Sequence, residues 1–180
     1  MKKTIIIICV TILLPNYIFS QSNINWISIE EVQNLQKKKP KKVLIDVYTK
    51  WCGPCKMMDK NTFSNNNVIE YINKYFYAVK FNAESGESLT FKGNTYKNPS
   101  FNVNSTIRNS QHEFANALGV SSYPTVIYMD ENLDIIAPIK GYLTPNKIEL
   151  YLKLFAEDKY LDIESQEDFS EYQSKFKSTF

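Results

Sequence analysis

The chain has 180 residues, 43% of them hydrophobic, enough to fill one core of domain size. Its 21 basic and 19 acidic residues nearly cancel, and without residues 1–20, which hold Lys2 and Lys3 and no acid, 19 face 19. So balanced a chain has no electrostatic footprint for nucleic acid, and three cysteines are too few for a scaffold stapled by disulfides.

Lys2 and Lys3 precede an apolar run, 5-IIIICVTILL-14, that breaks at Pro15 and turns polar at Ser20-Gln21. This layout predicts a signal peptide over residues 1–20, too short to span a bilayer comfortably, and hence an exported protein, periplasmic or extracellular. Cys9 lies in the run without the small residues that precede a lipidated cysteine, so cleavage leaves Cys52 and Cys55 as a pair. Two cysteines at that spacing in an exported chain are a site, not a framework.

Ser28 and Glu31 form a capping-box pattern, and Trp26, Ile29, Val32 and Leu35 recur at helical spacing, predicting a helix that ends before Pro40. The basic run 37-KKKPKK-42 reads as its solvated end and turn. A strand is predicted at 43-VLIDVYT-49, apolar on both faces except for Asp46. Helices follow over 53-GPCKMMDKNTF-63 and around Val68, Ile72 and Tyr75, then a strand at 76-FYAVKFN-82. Residues 83–110, rich in Asn, Ser and Gly, are too long for an ordinary connection. Within them 90-TFKGNTY-96 predicts a hairpin around Gly93-Asn94, and Phe91, Tyr96, Phe101 and Val103 predict an ordered insertion. It is expected either to help select partners or to cover a sheet edge or helix end. Beyond it come a helix, 112-HEFANAL-118, up to Gly119, strands at 125–130 and 134–139, and a helix with Thr144 as N-cap and Pro145 at its first position. Phe169, Tyr172 and Phe176 predict a helical extension over 159–180. Together these make one α/β domain over 21–158, built on a small mixed sheet.

The chemistry rests on 52-CGPC-55. A structural zinc wants four ligands, and beyond this pair the mature chain offers one histidine, His112, read as a solvated helix residue; no metal site is expected. A redox dithiol fits better. A strand ending at Thr49 and a helix starting near Gly53 put Cys52 at a helix N-terminus, where unpaired N–H groups and the helix dipole favour a thiolate. Cys55 lies one turn later, and Pro54 holds that turn in helical dihedrals. Cys52 is then the attacking thiol and Cys55 the resolving one. Asp46, a lone carboxylate in an apolar strand, should have a raised pKa unless paired, which suits a general base near neutrality.

These residues resemble the thioredoxin family over roughly 41–82 and 117–156. The resemblance is carried by 43-VLIDVYTKWCGPCK-56, 78-AVKFNAE-84, 119-GVSSYPTVIYMD-130 and 141-GYLTPNKIELYL-152. It implies a thioredoxin-like fold, a mixed central sheet flanked by helices, with an insertion at 83–110. It further implies that Pro124 is a cis-proline facing the cysteines, that Tyr123 and Thr125 offer backbone to an extended substrate, and that Trp51, Gly53 and Pro54 complete the substrate-binding surface. Asp46 and Lys80 occupy the places of an acid and a lysine that move the proton of the resolving thiol. The expected activity is exchange with protein thiols and disulfides, with no cofactor beyond the dithiol and a membrane or soluble redox partner to recharge it. The Gly-Pro dipeptide resembles that of reductants, so a reductase is expected. An oxidase or isomerase, and a non-catalytic binding or chaperone module on the same fold, are the alternatives. A monomer is expected. The departures from the family are the insertion, a missing or shortened first strand, and Ser121-Ser122 before Tyr123; they bear on the choice of partner.

Overall fold

The computed structural model describes residues 23–180, and the predicted signal peptide lies outside them. Along the chain run β1 (Trp26–Ile27), α1 (Ile29–Gln36), β2 (Lys42–Tyr48), α2 (Gly53–Asn61), α3 (Asn66–Tyr75) and β3 (Phe76–Asn82). A hairpin of β4 (Leu89–Phe91) and β5 (Asn94–Tyr96) precedes α4 (Glu113–Ala117), β6 (Thr125–Met129) and β7 (Ile135–Lys140). The chain continues through α5 (Pro145–Ala156), a 3-10 turn at Lys159–Asp162 and α6 (Gln166–Lys175). The main sheet is ordered β1-β3-β2-β6-β7, parallel through β1, β3 and β2 and antiparallel from β2 through β6 to β7.

The alternation of β2, the central strand, sorts the core into two layers. Val43, Ile45 and Val47 pack with Ile29 and Val32 of α1 and with Phe114 and Ala115 of α4. Leu44 packs on the other side with Met58 of α2, Ile69 and Ile72 of α3, and Ile148 and Leu152 of α5. Asp46 follows Leu44 by one pleat and so faces the α2 side. This is the expected mixed sheet flanked by helices. Phe169 and Tyr172 of α6 lie against the same layer, so the predicted extension packs on the domain.

Some local expectations are corrected. Trp26 fits the helical spacing but lies in β1, in register with Ala78. Ser28 is extended and accepts a hydrogen bond from the Glu31 amide, so α1 begins after it and the first strand is shortened rather than missing. The hairpin turns at Lys92-Gly93, one residue earlier than expected, with φ of 49° and 79°. Two left-handed residues give that turn the twist of its strands. Lys42 is not a solvated turn residue: it opens β2, is buried, and its Nζ lies 3.1 Å from Glu131 and 2.6 Å from Asp158. His112 is buried too. As the N-cap of α4 it accepts from the Phe114 amide at Nδ1 (3.0 Å), leaving Nε2–H to donate to the Glu87 carbonyl at 2.9 Å. A histidine joins two backbone groups here because its two ring nitrogens play opposite roles.

Candidate active site

The end of β2 and the start of α2 place the cysteines. Cys52 is the N-cap of α2, and its Sγ accepts a hydrogen bond from the Cys55 amide at 3.1 Å, one of the donors that a helix start leaves unpaired. Cys52 and Cys55 form a disulfide, with Cα atoms 5.3 Å apart. Both are buried, whereas Gly53 and Pro54 between them are exposed. A Cβ on Gly53 would meet nothing within 4 Å, so folding does not demand glycine there.

Register brings Asp46 of β2 and Lys80 of β3 side by side. Lys80 Nζ donates to Asp46 Oδ2 at 3.1 Å, while Asp46 Oδ1 is buried with no hydrogen-bond partner among the described residues. The carboxylate is only 2% exposed. Burial pushes its pKa up to about 6, Lys80 pulling it part of the way back and the nearby Asp59 adding to the rise. Lys80 also pairs with Asp59 of α2 and sits over the rings of Trp26, Tyr48 and Phe63 at 5.2, 5.1 and 5.7 Å. Burial works against the charge of Lys80, but the two carboxylates outweigh it and raise its pKa. Asp59 lies one turn after Cys55 and its side chain is 43% exposed, so the pair connects the buried acid to the surface.

Trp51 and Tyr123 meet edge to face, ring centroids 5.9 Å apart, and the Tyr123–Pro124 peptide is cis, as the resemblance implied. Trp51 Nε1–H donates to Glu84 Oε1 at 2.8 Å, and the guanidinium of Arg108 lies 3.9 Å from the centre of its ring. The insertion therefore reaches the dithiol's neighbour. Thr125 takes a different position from the one expected: it is fully buried in β6, in register with Val47 on one side and Lys140 on the other. Its hydroxyl donates to the Ser122 carbonyl at 2.8 Å. Thr125 thus braces the loop, and Tyr123 is the residue left at the surface beside Trp51.

Asp59, Glu84 and Arg108 were not identified from the sequence. Asp59 could have been, since it stands four residues after Cys55 on the same helix face. Arg108 carries a compositional signal: it is the single arginine among 21 basic residues, and stacking on an aromatic ring is what arginine does and lysine does poorly.

A helix-capping disulfide beside a cis-proline loop, backed by a buried acid and a lysine, defines a thioredoxin-like redox site. The chain belongs to the thioredoxin-like domain family, whose model matches residues 29–156. Over 137 residues, 75% of this chain, it is 26% identical to the thiol:disulfide interchange protein DsbD of Photorhabdus laumondii, and it spans 20% of that relative's length. A thioredoxin-fold protein from Helicobacter pylori superposes with a TM-score of 0.57 at 20% identity, over 75% of this chain and 81% of that one. A putative disulphide-isomerase from Bacteroides thetaiotaomicron does so at 0.52 and 24% identity, over 76% of this chain and 95% of that one. At these identities the two structures speak for the fold alone. With its family and its Cys52–Cys55 disulfide, the chain carries a thioredoxin-like domain with a disulfide pair at a helix start.

Proposed function

We propose that this protein is an exported reductase of protein disulfides. The observation that carries the reading is the Cys52–Cys55 disulfide capping α2, packed on the sheet face that holds Asp46 and Lys80. Export rests on the leader-like residues 1–20, and the direction on the Gly-Pro dipeptide between the cysteines.

In the reduced protein the Cys52 thiolate attacks one sulfur of a partner's disulfide. A Cys52–partner S–S bond forms, the partner's own S–S bond breaks, and its second sulfur leaves and takes up a proton. Cys55 then gives its proton to Asp46 at the free Oδ1 and attacks Cys52 Sγ. The Cys52–Cys55 bond forms as the Cys52–partner bond breaks, and the partner's first sulfur leaves and becomes a thiol as Asp46 gives up the proton it took. The partner gains two electrons and two protons, and a further redox partner, membrane-bound or soluble, returns them to the dithiol. An acid with a pKa of about 6 is mostly ionised at neutral pH and still basic enough to accept a thiol proton. Trp51, Gly53, Pro54 and Tyr123 form the surface that the partner's chain crosses, with Pro124 and Thr125 holding Tyr123 in place.

The reduction potential of the pair tests the direction. A value near about −270 mV is expected, and one near about −120 mV would make the protein an oxidase. The roles are tested separately: Cys55→Ser should accumulate mixed disulfides with partners through Cys52, and Cys52→Ser should accumulate far fewer. Equal trapping by the two variants would reverse the assignment.

A further inference from the structure

Residues 98–110 form a loop stitched together by side-chain amides. Asn98 Nδ2 donates to the carbonyls of Ser85 and Ser110 at 3.0 and 2.8 Å, and Asn98 Oδ1 accepts from the Ser110 hydroxyl at 2.6 Å. The Asn109 side chain bonds the Asn102 backbone twice, accepting from its amide and donating to its carbonyl, and Glu84 ties the loop to Trp51 beside the dithiol by accepting from the Asn109 amide with one oxygen and from Trp51 with the other. Phe101 lies so close over Gly86 that a Cβ there would come within 2.5 Å of its ring. So well braced a loop nevertheless holds Val103 and Ile107 outward, 81% and 80% exposed, on the side where Trp51 is 37% exposed. Between them lies a groove of about 250 Å³ lined by Lys50, Trp51, Phe101, Val103, Ile107 and Arg108. Glu84 lines the groove too, its two oxygens held by Trp51 and the Asn109 amide, and among the described residues neither Lys50 nor Arg108 joins an ion pair, so the groove keeps a net positive charge.

We propose that this loop is a docking platform for the substrate protein: the groove takes a large apolar side chain and its rim a carboxylate, both within a few residues of the substrate's disulfide. The proposal rests on the exchange reading above. Trp51 directly precedes Cys52 in the chain, is partly exposed beside it, and is also one wall of the groove. The exchange site and the platform are continuous, and whatever occupies one extends over the other. Apolar side chains held in water by a rigid loop are the signature of a binding surface. The two unpaired cations select an acidic neighbour over a basic one.

The test uses the reduced full-length protein and short cysteine peptides carried as mixed disulfides with glutathione. One peptide has Leu and Glu flanking the cysteine and the other has Ser and Glu. The wild-type kcat/KM is expected to favour the Leu-Glu peptide by about tenfold, the discrimination one well-seated apolar side chain gives. In the double variant Val103→Ser/Ile107→Ser that ratio should fall to within about twofold of unity. A wild-type protein without preference overturns the proposal, as does a preference that survives the double substitution, which would place recognition elsewhere. Failure of the reduced wild-type protein to exchange with either peptide or with glutathione disulfide would remove the exchange reading, and the platform with it.

Discussion

Asp46 lies in the central strand facing the dithiol helix, and Glu149 lies in α5 beneath the last residues of the chain; both are buried carboxylates with a lysine partner. Glu149 is surrounded by donors. Lys153 Nζ lies at 2.6 Å, the amides of Thr179 and Phe180 at 2.8 and 3.0 Å, and the hydroxyls of Ser178 and Thr179 complete the set. Burial alone would raise its pKa, but these bonds more than offset it and hold Glu149 down to about 2. Asp46 has one lysine and an unpartnered oxygen, and burial pushes it up to about 6. Asp46 is the more deeply enclosed of the two and has the fewer donors, and both differences separate a carboxyl poised to take a proton from a permanent anion. A saturated carboxylate is a fastener, here clasping the tail to α5. An under-paired one stores the imbalance that proton transfer uses.

The sharpest way to break this contrast is Asp46→Asn. Exchange at neutral pH should slow by about 100-fold or more, with loss of the inflection near pH 6 in the rate profile. Folding should be unharmed or improved, since burying an incompletely paired charge is unfavourable. Insulin reduction across pH and a thermal melt measure the two effects. A variant that does not fold would make Asp46 a fastener like Glu149. Next in size is Glu149→Gln, which replaces an acceptor-only group with one that carries donors into a nest of donors. A loss of about 2 kcal/mol is expected, or about 4–8 °C in Tm for a domain of this size, with the exchange rate per folded molecule unchanged. An unchanged Tm would mean that the clasp contributes nothing net.

The two carboxylates were not equally visible in the sequence. Asp46 interrupts the apolar run of β2, and a charge in a two-sided strand demands a partner, so both it and its chemistry were legible. Lys80 was found only through the resemblance, because one lysine in β3 looks like any other until register places it opposite Asp46. Glu149 sits beside the apolar stripe of α5, where a charged residue normally meets water, and its donors come from about 30 residues away, at 178–180. Long-range pairing of that kind leaves no local pattern. His112 and Lys42 were misread for the same reason: polar residues at element ends look solvated until the fold covers them. The helix caps at Ser28 and Thr144 were legible because capping is settled within four residues.

The finest difference between the two sites is the pH dependence each gives to stability. Asp46 binds its proton more tightly in the folded chain, at about 6 against an ordinary 3.8, so between those values the folded state holds more protons than the unfolded one. Stability then falls as pH rises through that window, by about 1–3 kcal/mol in all. Glu149 acts in the opposite sense. Its pKa of about 2 lies below its ordinary 4.5, so its contribution is complete above that value and is lost as pH falls toward 2. Ser178 and Thr179 are themselves exposed, and with solvent screening that contribution is about 1–2 kcal/mol. For these two groups together, the unfolding free energy should peak near pH 4 and decline on both sides. Urea unfolding from pH 2 to 8 separates them: subtracting the Asp46→Asn curve from wild type should leave a slope only above about pH 4, and subtracting Glu149→Gln a slope only below about pH 4.5. If Asp46→Asn changed the acid limb instead, Asp46 would be the saturated anion and the proton-accepting role assigned to it would fall.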